Sequence, residues 1–136
     1  MATILISHDL GAVAGRTDRV QVMYAGRVVE RSATGEVFEA PRHPYTEGLL
    51  ASIPRLSDPP HTTLRAIVGS PPNMANPPDG CRFAPRCPYV QDRCTAEQPE
   101  LLEIGVRRTS HVAACHFPLP DVDLGAPRAA LAEEIS

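Results

Sequence analysis

The sequence predicts an α/β chain in which a strand, a short helix, a hairpin and further helices precede a small Pro-rich, Cys-rich irregular extension. Three observations carry that prediction. Apolar and β-branched residues run without a break from Thr3 to Ile6, as in a buried strand of a parallel sheet. Val20, Val22 and Tyr24 alternate with polar positions ahead of Ala25-Gly26, the pattern of a hairpin. All four cysteines lie between residues 81 and 115, after a stretch dense in proline and turn residues.

The elements follow in order. Thr3 to Ile6 is expected as a buried strand that delivers Ser7-His8-Asp9 to its carboxyl end. Asp9 to about Arg16 reads as a short helix, weakened by Gly11 and Gly15, with Ser7 and Asp9 as its capping residues. The hairpin turns at Ala25-Gly26 into Arg27 to Glu30. Thr34 is an N-cap for a helix through Ala40, with Glu36 in the first turn, where the helix dipole favours an acid. Pro44 suits a first helical position, and Tyr45, Leu49 and Ile53 share one helical face before Pro54 ends it. From Pro54 to Gly80 the segments "IPRLSDPPHTT" and "GSPPNMANPPDG" are turn and linker signals, with Leu64 to Val68 as the candidate strand. The tail from Leu119 is Pro- and Ala-rich and expected to be flexible, with a short helix around residues 129–135.

Composition narrows the function classes. The chain of 136 residues suffices for one domain. Its 15 prolines are about twice the usual share, so the core must be assembled from short pieces. A net charge of −3 and 4% aromatic residues argue against a basic or base-stacking nucleic-acid surface. No charged start followed by an apolar run suggests an export signal, and no stretch approaches the roughly 20 apolar residues of a membrane span. A cytoplasmic location without membrane insertion is the expectation.

The cysteines, Cys81, Cys87, Cys94 and Cys115, are spaced C-x5-C-x6-C-x20-C. In a reducing compartment four thiols in a poorly hydrophobic segment point to a metal staple rather than disulfides. The gaps are wider than those of zinc knuckles, and four-thiolate iron–sulfur clusters admit more varied spacing. A [4Fe-4S] cluster is therefore preferred, with zinc as the alternative and four unrelated reduced thiols as the plainer reading. His111 and His116 are alternative ligands. Arg82, Arg86 and Arg93 interleave with the first three cysteines and are read as cations that would offset a cluster's negative charge. His8, at a strand end, is placed where open α/β sheets bind ligands, although structural histidines are common there.

The stretches "ILISHDLGAVA", "DRVQVMYAGRVVE" and "HPYTEGLLASIPRL" make residues 3–56 closely resemble the end of the ATP-binding subunit of ATP-binding-cassette transporters, in the oligopeptide/dipeptide importer branch. Residues 57–118, with "GSPPN", "GCRFAPRCP", a third cysteine and "CHF", look like that branch's C-terminal extension. The resemblance implies a division into the end of a P-loop (ABC-type) ATPase domain at 1–40, the extension with its four cysteines at 41–118, and a flexible tail at 119–136. It implies that His8 is the switch histidine, which contacts the ATP γ-phosphate and helps position the attacking water in the complete subunit. It implies that Cys81, Cys87, Cys94 and Cys115 hold a [4Fe-4S] cluster.

It also implies Mg and ATP as cofactors of the complete subunit. The implied partners are membrane permease subunits and a second ATP-binding subunit of a peptide importer, with peripheral location on the inner face of the plasma membrane. The phosphate-binding loop G-x-x-x-x-G-K-[ST], the LSGGQ-type signature and the aspartate–glutamate pair of the family are absent from these 136 residues. The expectation is a C-terminal portion of a longer subunit that neither binds ATP tightly nor hydrolyses it alone. The alternative is an independent iron–sulfur or zinc module that retains a remnant of an ATPase.

Overall fold

A computed structural model of the chain describes residues 2–54, 63, 66–104 and 110–120. Helix α1 (Leu10–Val13) leads to strands β1 (Arg19–Tyr24) and β2 (Arg27–Ala33). Helices α2 (Thr34–Glu39) and α3 (Pro44–Ala51) follow. A 3-10 turn (Ala84–Arg86), α4 (Asp92–Ala96), β3 (Leu102–Glu103) and β4 (Val112–Ala113) make up the cysteine segment. The strands form one antiparallel sheet in the order β1-β2-β4-β3.

The hairpin forms where the alternation predicts it. Val20, Val22 and Tyr24 are buried while Arg19, Gln21 and Met23 are exposed. The turn takes two left-handed residues, Ala25 at φ 48° and Gly26 at φ 77°, the geometry whose twist matches a two-residue hairpin. Strand β2 continues to Ala33, beyond the expected Glu30, because β1 keeps pairing with it through Val20 opposite Ser32 and Arg19 opposite Ala33, while β4 adds to its other edge at Glu30 and Arg31.

One core joins the hairpin, α3 and the cysteine segment. Val13, Val20, Val22, Tyr24, Val29, Val37 and Phe83 form it, with Tyr45, Leu49 and Ile67 packed against them. Phe83 meets Tyr24 edge to face at 5.2 Å between ring centroids and Tyr45 at 5.5 Å, the offset geometries that aromatic quadrupoles favour. The cysteine segment thus shares its anchor with the hairpin.

Several expectations are corrected. Thr3 to Ile6 is not a strand: Ile4 and Ile6 are 89% and 92% exposed, and no described strand pairs with this stretch. A continuous apolar run becomes a strand only where neighbouring backbone completes its ladder. Helix α1 ends at Val13, short of Arg16, and Gly15 takes φ +70°, which no helix continues through. Thr34 is the first residue of α2 rather than its cap, and its hydroxyl pairs with that of Thr17 at 3.0 Å. Glu36 does stand in the first turn, as expected, and accepts a hydrogen bond from Ser32 at 2.7 Å. Helix α3 ends at Ala51, where Ser52 donates back to the Gly48 carbonyl at 2.8 Å, so Ile53 lies outside it.

Of the candidate strand Leu64 to Val68, residues 64 and 65 lie outside the described residues. Residues 66–68 pair with no described strand, and Arg86 binds the Ile67 and Val68 carbonyls, each at 3.0 Å. The tail helix around 129–135 lies outside the described residues.

Candidate functional site

Local backbone bonds bring the cysteines together. The Cys81 amide donates to the Cys94 carbonyl at 2.7 Å, pinning the start of the segment to α4. The 3-10 turn then reverses the chain, with Ala84 N–H on the Cys81 carbonyl and Cys87 N–H on that of Ala84. Pro85 within it lacks an N–H, which costs nothing at a helix start. Cys115 arrives from the other side, because the Ala114 amide donates to the Val29 carbonyl of β2 at 2.8 Å.

All four thiols line one small pocket, walled by Phe83, Phe117 and Pro99, with His43 and His116 also on its lining. None forms a disulfide; Cys94 is buried and the others are half-buried. Burial, then repulsion by the other three thiols, pushes Cys87 up to about 12, against the hydrogen bond from the Tyr89 amide. Cys115 is pushed up to about 11 for the same leading reason, with Cys81, Cys94 and Glu30 adding repulsion. Cys81 is raised as well, chiefly by burial. Four sulfurs on one pocket, with repulsion between thiols adding to burial at Cys81, Cys87 and Cys115, are a donor set that a thiophilic cation would turn from repulsion to attraction. Among the described residues, no group of three or more His, Cys, Asp or Glu is already disposed to hold a metal ion. The donor chemistry therefore fits, while ligating geometry would need the side chains to close further.

The interleaved arginines serve the fold rather than the pocket. Arg82 donates through Nη1 to the Ala25 carbonyl of the hairpin turn. Arg86 binds Val68, Ile67 and the Tyr24 hydroxyl, and Arg93 pairs with Glu97 at 2.9 Å on the surface of α4. A guanidinium carries five donors and seeks carbonyls it can bridge, and the irregular chain on either side supplies them.

The histidines divide. His111 is buried, with Nε2 at 2.7 Å from Glu30 Oε1, which commits it to the carboxylate rather than to the pocket. His116 Nε2 sits 2.9 Å from the Glu97 carbonyl, while its ring lies on the pocket lining. His43, the first residue of the "HPYTEGLLASIPRL" stretch, caps α3 by accepting the Tyr45 amide at Nδ1. Burial lowers it to about 4, so it is a neutral imidazole.

His8 is exposed on the bend before α1 and lines neither the thiol pocket nor the larger cleft beside it. Its neighbours act as expected of caps: Asp9 Oδ1 accepts the Gly11 amide at 2.8 Å and Ser7 Oγ accepts that of Asp9 at 3.0 Å. No helix among the described residues is long and apolar enough to cross a membrane.

Residues 29–94 match the family described as the oligopeptide/dipeptide transporter, C-terminal region. The oligopeptide transport ATP-binding protein OppD of Mycobacterium tuberculosis is 50% identical over 112 residues, covering 82% of this chain and 18% of that protein. AppD of Bacillus subtilis, also an oligopeptide transport ATP-binding protein, is 54% identical over 99 residues, 73% of this chain and 30% of its own length. The dipeptide transport ATP-binding protein DppD of Escherichia coli is 44% identical over 121 residues, 89% of this chain and 36% of its own length. The chain thus spans between about a fifth and about a third of the length of these relatives.

Proposed function

From the chain's membership, through residues 29–94, of the oligopeptide/dipeptide transporter C-terminal-region family, we infer that it is the C-terminal portion of an ATP-binding subunit that couples ATP binding and hydrolysis to peptide import. The observation that carries this reading is the identity of 44–54% to three peptide-transport ATP-binding proteins, over most of this chain. Residues 1–40 belong to the end of the ATPase domain, 41–118 to the extension and 119–136 to a tail. The partners are permease subunits and a second ATP-binding subunit, which hold the assembly peripherally on the inner face of the plasma membrane.

In the complete subunit His8 contacts the γ-phosphate of Mg-bound ATP and orients the attacking water. Its exposure on a bend ahead of α1 leaves the imidazole open to such a ligand. By itself the chain lacks the loop whose backbone N–H groups and lysine cradle the phosphates. Alone it therefore neither binds ATP tightly nor hydrolyses it.

Cys81, Cys87, Cys94 and Cys115 are the residues that would hold a [4Fe-4S] cluster or, alternatively, zinc. Such a group would supply a cross-link between the hairpin side and the α4 side of the pocket, in the manner of a structural metal. A second reading, an independent metal module retaining an ATPase remnant, draws on the convergence of all four thiols on one pocket.

A chimera tests the first reading. This chain replaces the matching C-terminal residues of the E. coli dipeptide transport ATP-binding protein, and ATPase activity and dipeptide uptake are measured. Retained activity that falls about a hundredfold or more on His8→Ala supports it; a chimera that folds but is indifferent to His8→Ala overturns the assignment of His8. Anaerobic purification with iron, sulfide and zinc analysis, and a Cys87→Ser control, tests the thiol site. About four irons per chain, lost in the control, support the cluster, whereas metal-free folded protein overturns both metals.

A further inference from the structure

A cleft of about 490 Å³ lies between the start of β2 and the segment at 98–101, within the range of about 300–1,000 Å³ typical of small-molecule sites. Its apolar surface comes from Val28, Val29, Phe83, Pro99 and Leu101. Charges of both signs stand over that surface. Arg27 and Arg82 bring guanidiniums, Glu100 a carboxylate and Gln98 an amide. Among the described residues, Arg27, Gln98 and Glu100 make no hydrogen bond or ion pair through their side chains, and Arg82 uses Nη1 alone, on the Ala25 carbonyl. Arg27 and Glu100 therefore share one cleft without pairing across it.

We propose that this cleft binds a short peptide with free ends, its carboxylate on Arg27 and Arg82, its ammonium on Glu100 and an apolar side chain against Phe83, Pro99 and Leu101. Opposite charges lining one cleft with an apolar floor suit a molecule that carries both charges and an apolar body. A guanidinium presents its donors in the planar fork that a carboxylate accepts. Gln98 adds an amide able to donate to and accept from a peptide bond. The inference stands on the cleft's own residues and not on the transport reading, so the two fail separately.

The cleft is also joined to the thiol pocket. His43, Cys81, Phe83 and Pro99 line both cavities. An occupant would adjoin Cys81, which lines both cavities, and binding there would be reported by the thiol.

The experiment is a calorimetric titration of the full chain with L-alanyl-L-phenylalanine, repeated with its N-acetyl and C-amide forms and with free phenylalanine. Saturable binding is expected, weakened about tenfold or more by Arg27→Ala and by C-amidation, and likewise by Glu100→Ala and by N-acetylation. Both side chains are exposed, so the variants should keep the wild-type unfolding midpoint, which is checked in urea. Bound dipeptide should also slow alkylation of Cys81 relative to the unliganded chain. No saturable binding at tens of millimolar overturns the proposal. So does equal affinity in the two variants, or for the blocked dipeptides. Free phenylalanine binding as tightly as the dipeptide overturns the assignment to peptides.

Discussion

Glu30 and His111 lie 81 positions apart and meet at 2.7 Å, both buried. The same carboxylate accepts the backbone amides of Arg42 at 2.7 Å and His43 at 3.0 Å. One side chain on β2 thus holds the entry to α3 and, through His111, the strand that delivers Cys115. Two amide donors and an imidazole satisfy a carboxylate that would otherwise be costly to bury.

Removing that carboxylate should be among the most damaging single changes in the chain. Glu30→Ala leaves a buried amide, a half-buried amide and an imidazole without their acceptor, and breaking a buried pair in this way costs about 3–5 kcal/mol. Domains of this kind are stable by only about 5–15 kcal/mol. The urea midpoint should fall steeply, and Glu30→Gln, which keeps the shape and one acceptor oxygen, should lose less. An unchanged midpoint in Glu30→Ala would remove Glu30 from this role.

His43 makes stability depend on pH in a stated direction. Burial lowers it from 6.5 to about 4, while its Nδ1 accepts the Tyr45 amide. The unfolded chain binds a proton below pH 6.5 that the folded chain refuses until about pH 4. Stability therefore falls as pH drops through that window, by about 1.4 kcal/mol per unit at most, and is fully present above it. The comparison is His43→Asn, whose side-chain oxygen can also cap α3. Between pH 6.5 and 5 the wild type should lose stability faster than the variant, read from urea midpoints. Parallel slopes would show that His43 titrates normally.

The hairpin and α3 were legible because their signals are local. Alternating Val20, Val22 and Tyr24, the Ala25-Gly26 turn and Pro44 at the helix start each act within a few residues. Thr3 to Ile6 misled for the same reason: the run is strand-like, but a strand also needs neighbours, and its side chains are exposed. Glu30 left no mark in the pattern, since nothing near it announces a partner at position 111. The arginines between the cysteines looked like counter-charges by proximity along the chain, and only the folded backbone shows that Arg82 and Arg86 reach the hairpin and the linker instead. The number and confinement of the four thiols suggested a metal staple; they line one pocket, yet among the described residues no group of three or more His, Cys, Asp or Glu is disposed to hold a metal ion.

Gly80 is constrained by space rather than by φ. A Cβ at this position would run into the carbonyl oxygens of Cys94 and Thr95, which are backbone and have little room to yield. The contact exists because the next residue, Cys81, donates its amide to Cys94 at 2.7 Å. Gly80→Ala should therefore push α4 from the 3-10 turn, at a cost of about 1–3 kcal/mol, and loosen the thiol pocket. Faster amide exchange at Cys81 is the signature to measure. Gly35→Ala, where a Cβ meets nothing within 4 Å, is the control expected to be nearly neutral or slightly stabilising.

The thiols themselves supply the last prediction. With Cys87 held near 12 and Cys115 near 11, chiefly by burial, almost none of either is thiolate at pH 8. The thiolate is the nucleophile, so iodoacetamide should modify both about a hundredfold or more slowly than ordinary thiols of pKa about 8.5. In urea the difference should vanish. Sign follows from linkage: an acid raised in the folded state contributes stability below its unfolded value. That contribution is lost as pH climbs from about 9 towards 11–12, so the chain should be alkali-sensitive in this window. A thiophilic cation acts the other way, drawing thiolates from thiols and releasing protons. Zinc added to weakly buffered protein should therefore acidify the solution and suppress alkylation still further. Mass spectrometry of the alkylated chain separates the four positions. Folded protein in which Cys87 and Cys115 react as fast as in urea would mean that the pocket does not shield them, and the case for a shared thiol site would fall with it.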